Sequence, residues 1–152
     1  VPPTTINGIT ITESFAGSVA IGTGTWSSCG GGVTSPINSK LVGISGSFSY
    51  TMNFSSPVNN IIIFITGTGL GINETFTFTT NSGSGIPTIA STLNCYTTIV
   101  GNTIISGLGA DSGGGGGGGK FLIQNSVSFT SLTITGPGGA SGSLLSICSD
   151  SF

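Results

Sequence analysis

Hydrophobic and polar residues alternate with a period of two in several separate stretches of this chain, and no stretch carries the 3.6-residue period of an amphipathic helix. The clearest stretch is Ser47–Gly67. Phe48, Tyr50, Met52 and Phe54 alternate with Ser47, Ser49, Thr51 and Asn53, which predicts a strand with one buried and one exposed face. Ile61–Ile65 is an unbroken apolar run and predicts a buried strand. Between them, Ser55-Ser56-Pro57-Val58-Asn59-Asn60 predicts a loop, because proline withholds a backbone donor and asparagine favours chain reversal.

The same reading extends along the chain. Val19 with Ile21, Leu41–Ile44, Thr75–Thr79, Leu93–Val100, Thr103–Ile105, Phe121–Ile123, Val127–Phe129, Leu132–Thr135 and Leu144–Cys148 are each expected as one strand. Gly101-Asn102 and Gly136-Pro137-Gly138-Gly139 are the turns among them. In Val1–Phe15, Ile9 and Ile11 share a face, and Asn7-Gly8 suits either a tight hairpin turn or a bulge. The run Gly113–Gly119 is expected as a flexible loop, since glycine has the most conformational entropy to lose on ordering. About nine or ten short strands and no helix predict an all-β fold, a two-sheet β-sandwich of jelly-roll or Greek-key type with an extended N-terminal strand. The expected organisation is an extended segment over residues 1–15, able to act as a donor strand, and a single sandwich domain over residues 16–152.

Composition changes the picture of the surface. Two basic and four acidic side chains serve 152 residues, against roughly 25% charged residues in an average domain, and histidine is absent. Serine, threonine, asparagine and glycine must therefore cover the exterior, and a net charge of −2 supplies little repulsion between copies, so self-association is expected. Two lysines, Lys40 and Lys120, cannot build the basic patch that nucleic acid requires. No apolar run approaches the about 20 residues of a membrane-spanning helix.

Candidate chemistry is sparse. Acid–base catalysis relies on titratable groups held within reach of each other; here the acids Glu13, Glu74, Asp111 and Asp150 are scattered and no histidine base exists, so no enzyme and no catalytic residue is expected. Asp111-Ser112-Gly113 offers calcium one carboxylate, and Lys120 beside the glycine run lacks the spacing of a phosphate loop, so neither a metal nor a cofactor is expected. Cys29, Cys95 and Cys148 show no paired spacing: one internal disulfide with a spare thiol able to link subunits, or three buried thiols, both remain open. Trp26, Tyr50 and Tyr96 are the candidate stacking platforms for a glycan, with Trp26 also suited to the core. Asn53 and Asn73 begin sequons for N-glycosylation. Lys40 beside an apolar strand is expected at the surface, its alternative being an isopeptide cross-link of the kind found in some bacterial surface sandwiches. The start Val1-Pro2-Pro3 reads as a processed, exported N-terminus.

The phrase Phe54-Ser55-Ser56-Pro57-Val58-Asn59-Asn60 before an apolar strand, with Phe129-Thr130-Ser131-Leu132-Thr133-Ile134 later, resembles the sandwich repeats of secreted Bacteroidota-type adhesins. Those repeats often carry acidic residues after the buried strand, where this chain has Thr66-Gly67-Thr68-Gly69, so no calcium site is carried over. In its charge-poor, all-β character and extended start the chain is also similar to jelly-roll filament subunits such as archaeal bundling pilins and biofilm-matrix fibre proteins. That resemblance implies donor-strand assembly into an extracellular homopolymer, with Ile6, Ile9, Ile11 and Phe15 as the inter-subunit strand. A glycan- or surface-binding adhesin module is the alternative. Alternating threonines such as Thr75, Thr77 and Thr79, or Thr10 and Thr12, suggest ice binding as a third reading.

Overall fold

The structure, a computed structural model, describes residues 2–22, 24–37, 39–68, 74–107, 117–138, 142–148 and 151–152. The strands are, in chain order, β1 Thr4–Ile6, β2 Ile9–Gly17, β3 Val19–Ile21, β4 Ser27–Ser28, β5 Val33–Thr34, β6 Lys40–Val42, β7 Phe48–Val58 and β8 Ile61–Thr68. They continue as β9 Glu74–Thr80, β10 Thr88–Cys95, β11 Thr97–Val100, β12 Thr103–Ser106, β13 Gly117–Gln124, β14 Phe129–Gly136 and β15 Ser143–Ile147. A seven-stranded sheet runs β1-β2-β7-β14-β9-β12-β11, and a six-stranded sheet runs β10-β13-β8-β15-β6-β3. All pairings are antiparallel, and β7 to β11 and β13 to β15 switch sheet at every step. This winding makes the fold a two-sheet β-sandwich, as the strand pattern predicts, with the jelly-roll winding of the two the pattern leaves open.

Its core follows from the period-two pattern. Phe48, Tyr50, Met52 and Phe54 of β7, Phe76 and Phe78 of β9 and Leu132 and Ile134 of β14 point inward from the larger sheet. Ile61, Ile63 and Ile65 of β8 and Phe121 and Ile123 of β13 meet them from the smaller one. The intervening Ile62 and Phe64 lie half-buried on the outer face, so the apolar run of β8 serves both faces of its sheet.

Several expectations are corrected. The loop expected at Ser55–Asn60 shrinks to Asn59 and Asn60, because β7 continues through Pro57 to Val58. Opposite β14 the register jumps from Ser131↔Asn53 to Phe129↔Val58, so Pro57 sits in a bulge where its missing N–H breaks no ladder bond. Asn59 joins two turns, its Oδ1 accepting from Asn125 N–H at 2.9 Å and its Nδ2 donating to Asn125 O at 2.8 Å. Leu93–Val100 is not one strand. Cys95 ends β10 in the smaller sheet, Tyr96 turns with φ 54°, and Thr97 starts β11 in the larger one.

The glycine run also differs from its expected loop where it is described. Gly117, Gly118 and Gly119 open β13, and the remainder lies outside the described residues. A short hairpin of β4 and β5, joined by a tight turn over Cys29–Gly31, packs above them. Ser28 Oγ donates to Gly117 O at 3.1 Å and accepts from Gly67 N–H at 3.1 Å. A Cβ on Gly118 would strike the Ile65 carbonyl and approach Ser28 Cβ at 3.1 Å, so backbone-to-backbone closeness demands glycine there.

The N-terminal segment is part of the sandwich. Asn7 (φ 48°) and Gly8 (φ 79°) make the two-residue hairpin turn between β1 and β2, the positive angles such a turn needs. β2 then pairs with β7 from Ile11↔Phe54 to Gly17↔Phe48.

Candidate functional site

Two of the chain's few charges meet inside this fold. Ile11 is buried, and strand alternation puts Glu13 on the same inward face two residues later. Likewise Val42 is buried, which turns Lys40 inward from β6 of the other sheet. Lys40 Nζ lies 3.2 Å from Glu13 Oε2, and both side chains are about nine-tenths buried. Tyr50 donates its phenolic hydrogen to Glu13 Oε1. Lys40 is therefore not the surface residue expected from the sequence, and Tyr50, 1% exposed, is not a glycan platform. The signal was present in the alternation: Glu13 falls in phase with Ile9, Ile11 and Phe15, and Lys40 in phase with Val42.

The three residues form a bridge between the sheets beside an open cleft of about 510 Å³, whose walls include Glu13, Lys40, Tyr50, Ile21, Ile37 and Pro3. Burial, and next the carboxylate of Glu13, hold the Tyr50 hydroxyl far above its ordinary range, so the neutral phenol is the folded form. A proton retained by the native state but lost by the unfolded chain stabilises the fold below the unfolded pKa of about 10 and is a declining contribution above it. Stability is thus expected to fall above about pH 10 by up to about 1.4 kcal/mol per pH unit from this group. Urea titrations between pH 9 and 11 check this; a slope no smaller in Tyr50→Phe would refute it.

Sheet geometry assembles a second feature that separate strands do not reveal. On the outer face of the larger sheet Ser14, Thr51, Thr133 and Thr79 stand in one row across four strands. Ser49, Thr135, Thr77 and Thr103 form the next. Thr51 and Thr133 hydroxyls are 2.9 Å apart and those of Thr77 and Thr103 3.1 Å apart. These rows carry neither charge nor aromatic ring. They gather threonines as ice binding requires, whereas the usual rotation of about 20 to 25° between neighbouring strands works against a match to a planar lattice.

The remaining candidates are dispersed. Trp26 is half-exposed, its ring against Gly67 and its backbone paired with Ser35, and the exposed Tyr96 lies next to Gly117 at the same end of the sandwich. Cys29 and Cys95 are joined, and the remaining thiol, Cys148, is buried, where it is out of reach of another subunit. Ile6 and Ile11 are buried in the chain's own core, Ile9 packs against it, and Phe15 is exposed at its rim with its ring 5.4 Å from that of Tyr50. Asn53 lies exposed on the hydroxyl face; Asn73 lies outside the described residues. Glu74 accepts a hydrogen bond from Ser143 Oγ at 2.9 Å, so the two described carboxylates are engaged separately. Among the described residues no group of three metal-ligating side chains occurs, and no helix is long and apolar enough to cross a membrane.

Set against known proteins, the chain matches no protein-family model, no curated sequence and no solved structure.

Proposed function

We propose that the protein is the structural subunit of an extracellular filament, in which strand β2 of one copy occupies the seat beside β7 of the next. The observation that carries this reading is the place of β2 in the core. It belongs to a hairpin with β1, its Ile11 is 1% exposed and it pairs with β7 over seven residues, Ile11 to Gly17. The same contacts form whether the strand comes from its own chain or from a second copy. The connection favours exchange: β2 passes into β3 of the opposite sheet through Gly17 (φ 74°) and Ser18 alone, and short hinge loops promote swapping of the elements they join.

Other features agree. The edge strand β10 is eight residues long and has no charged residue to discourage pairing with another chain. The hydroxyl face adds an uncharged surface, and the Cys29–Cys95 disulfide suits an exported protein.

Negative-stain microscopy of the concentrated protein is expected to show regular filaments, and deletion of residues 1–17 to abolish them while leaving monomers or amorphous aggregate. Filaments that survive the deletion would remove the donor role. Isolated globules that bind a glycan array, and lose binding with Trp26→Ala, would replace this reading with the adhesin module.

A further inference from the structure

We infer that Glu13 is the register and specificity peg of the donated strand, recognised by Lys40 and Tyr50 of the copy that receives it. The inference rests on the strand-exchange reading and names what that seat selects.

The inward residues of β2 are Ile9, Ile11, Glu13 and Phe15, and the outward ones are Thr10, Thr12, Ser14 and Ala16. A slip of one residue turns every apolar side chain to solvent and is excluded by burial. A slip of two is another matter. It leaves large apolar residues facing the core and small ones facing water, so hydrophobic pattern alone hardly separates the correct register from its neighbours. Glu13 breaks that degeneracy, being the one charged residue among positions 1–39.

In the observed register Glu13 lies opposite Met52 on β7, with Tyr50 two residues along the same inner face. Its two oxygens then meet two different donors from two sheets, Lys40 Nζ at 3.2 Å and the Tyr50 hydroxyl. Shifted by two residues, either Ile11 or Phe15 would stand opposite Met52, and the buried ammonium of Lys40 would face a hydrocarbon side chain in place of the carboxylate. Buried ionic groups serve well as such registry devices because mismatching them costs more than pairing them gains. The seat thus accepts a strand with a carboxylate at one position and rejects a merely apolar and alternating one. The partner of that chemistry is a second copy of this chain.

Charge exchange tests the inference. Glu13→Lys and Lys40→Glu chains are each expected to lose at least tenfold in the pelletable filament fraction, since every donated strand meets a like charge. Mixed in equal amounts they should recover filaments, because each strand then finds an opposite charge in the other variant. The chain carrying both changes should fold with a near-normal melting temperature, assemble alone and fail to co-assemble with the unaltered chain. Unaltered chain that forms filaments while the mixture does not, or a doubly changed chain that co-assembles freely with it, would overturn the peg and leave the assembly reading standing. Unaltered chain that stays monomeric overturns both.

Discussion

Replacing Cys29 and Cys95 together by serine is expected to lower unfolding stability by about 4 kcal/mol, the chain-entropy value for a loop whose ends are 66 residues apart. The disulfide closes a loop from the hairpin above β13 to the end of β10, and so reaches from one edge of the smaller sheet to the covering that seals Gly117–Gly119. Without it the unfolded chain regains that freedom, while the native hairpin keeps only short contacts such as Ser28 to Gly117 and Gly67. Urea unfolding of the oxidised protein and the double variant gives the number. A second readout localises it: amide exchange should quicken in β4, β5 and the start of β13 before it does in β7 or β14. A loss under about 1 kcal/mol would mean that native strain or residual denatured structure cancels the loop term.

Phe129→Ala is expected to cost about 3 to 5 kcal/mol, the range for a fully buried aromatic truncated in a core that cannot collapse around the space. Phe129 is fully buried at the start of β14, its ring 6.1 Å from Phe54, which in turn lies edge-on to Phe152 at 5.9 Å. Collapse is resisted on both sides, by the bulge of β7 opposite and by the last residue of the chain, whose N–H donates to Asn60 O. Phe129→Leu, which retains most of the apolar volume, should cost far less. A melting temperature lowered by on the order of 10 °C in the alanine variant, and only slightly in the leucine variant, is the expected pair of results. Equal losses would show that ring geometry, and not filled volume, holds this end of the sandwich.

The inner face of the larger sheet was legible because each of its strands is half-buried. Phe48 to Phe54 and Phe76 with Phe78 alternate with hydroxyl residues, and alternation by itself names the face and the fold class. Asn7-Gly8 was half legible: the sequence left a hairpin turn or a bulge open, and the pairing of β1 with β2 made it the turn, both residues taking the positive φ that a two-residue hairpin requires. Local punctuation was an uneven guide: Gly101-Asn102 turns as expected between β11 and β12, but other readings from punctuation failed. Pro57 suggests a loop, and only the unpaired stretch opposite β14 makes room for it inside a strand. Tyr96 gives no local sign that it turns the chain from one sheet to the other. Glycine's freedom suggests a loop at Gly117–Gly119, yet the close approach of Ile65 and the hairpin above selects glycine for a strand.

What the amino-acid sequence determined by itself was the two-period code: an all-β chain, its buried positions, and an exterior with almost no charge. Partnership between distant positions was decided by the tertiary structure. Alternation says which side of a strand a residue takes but not which strand lies across the core, so Lys40 was expected at the surface and neither it nor Glu13 was named as the other's partner. The jelly-roll winding set β2 against β6 across the sandwich, closed Cys29 on Cys95 and aligned hydroxyls from four strands into rows. Those juxtapositions depend on register between segments far apart in the chain, and no local pattern encodes it.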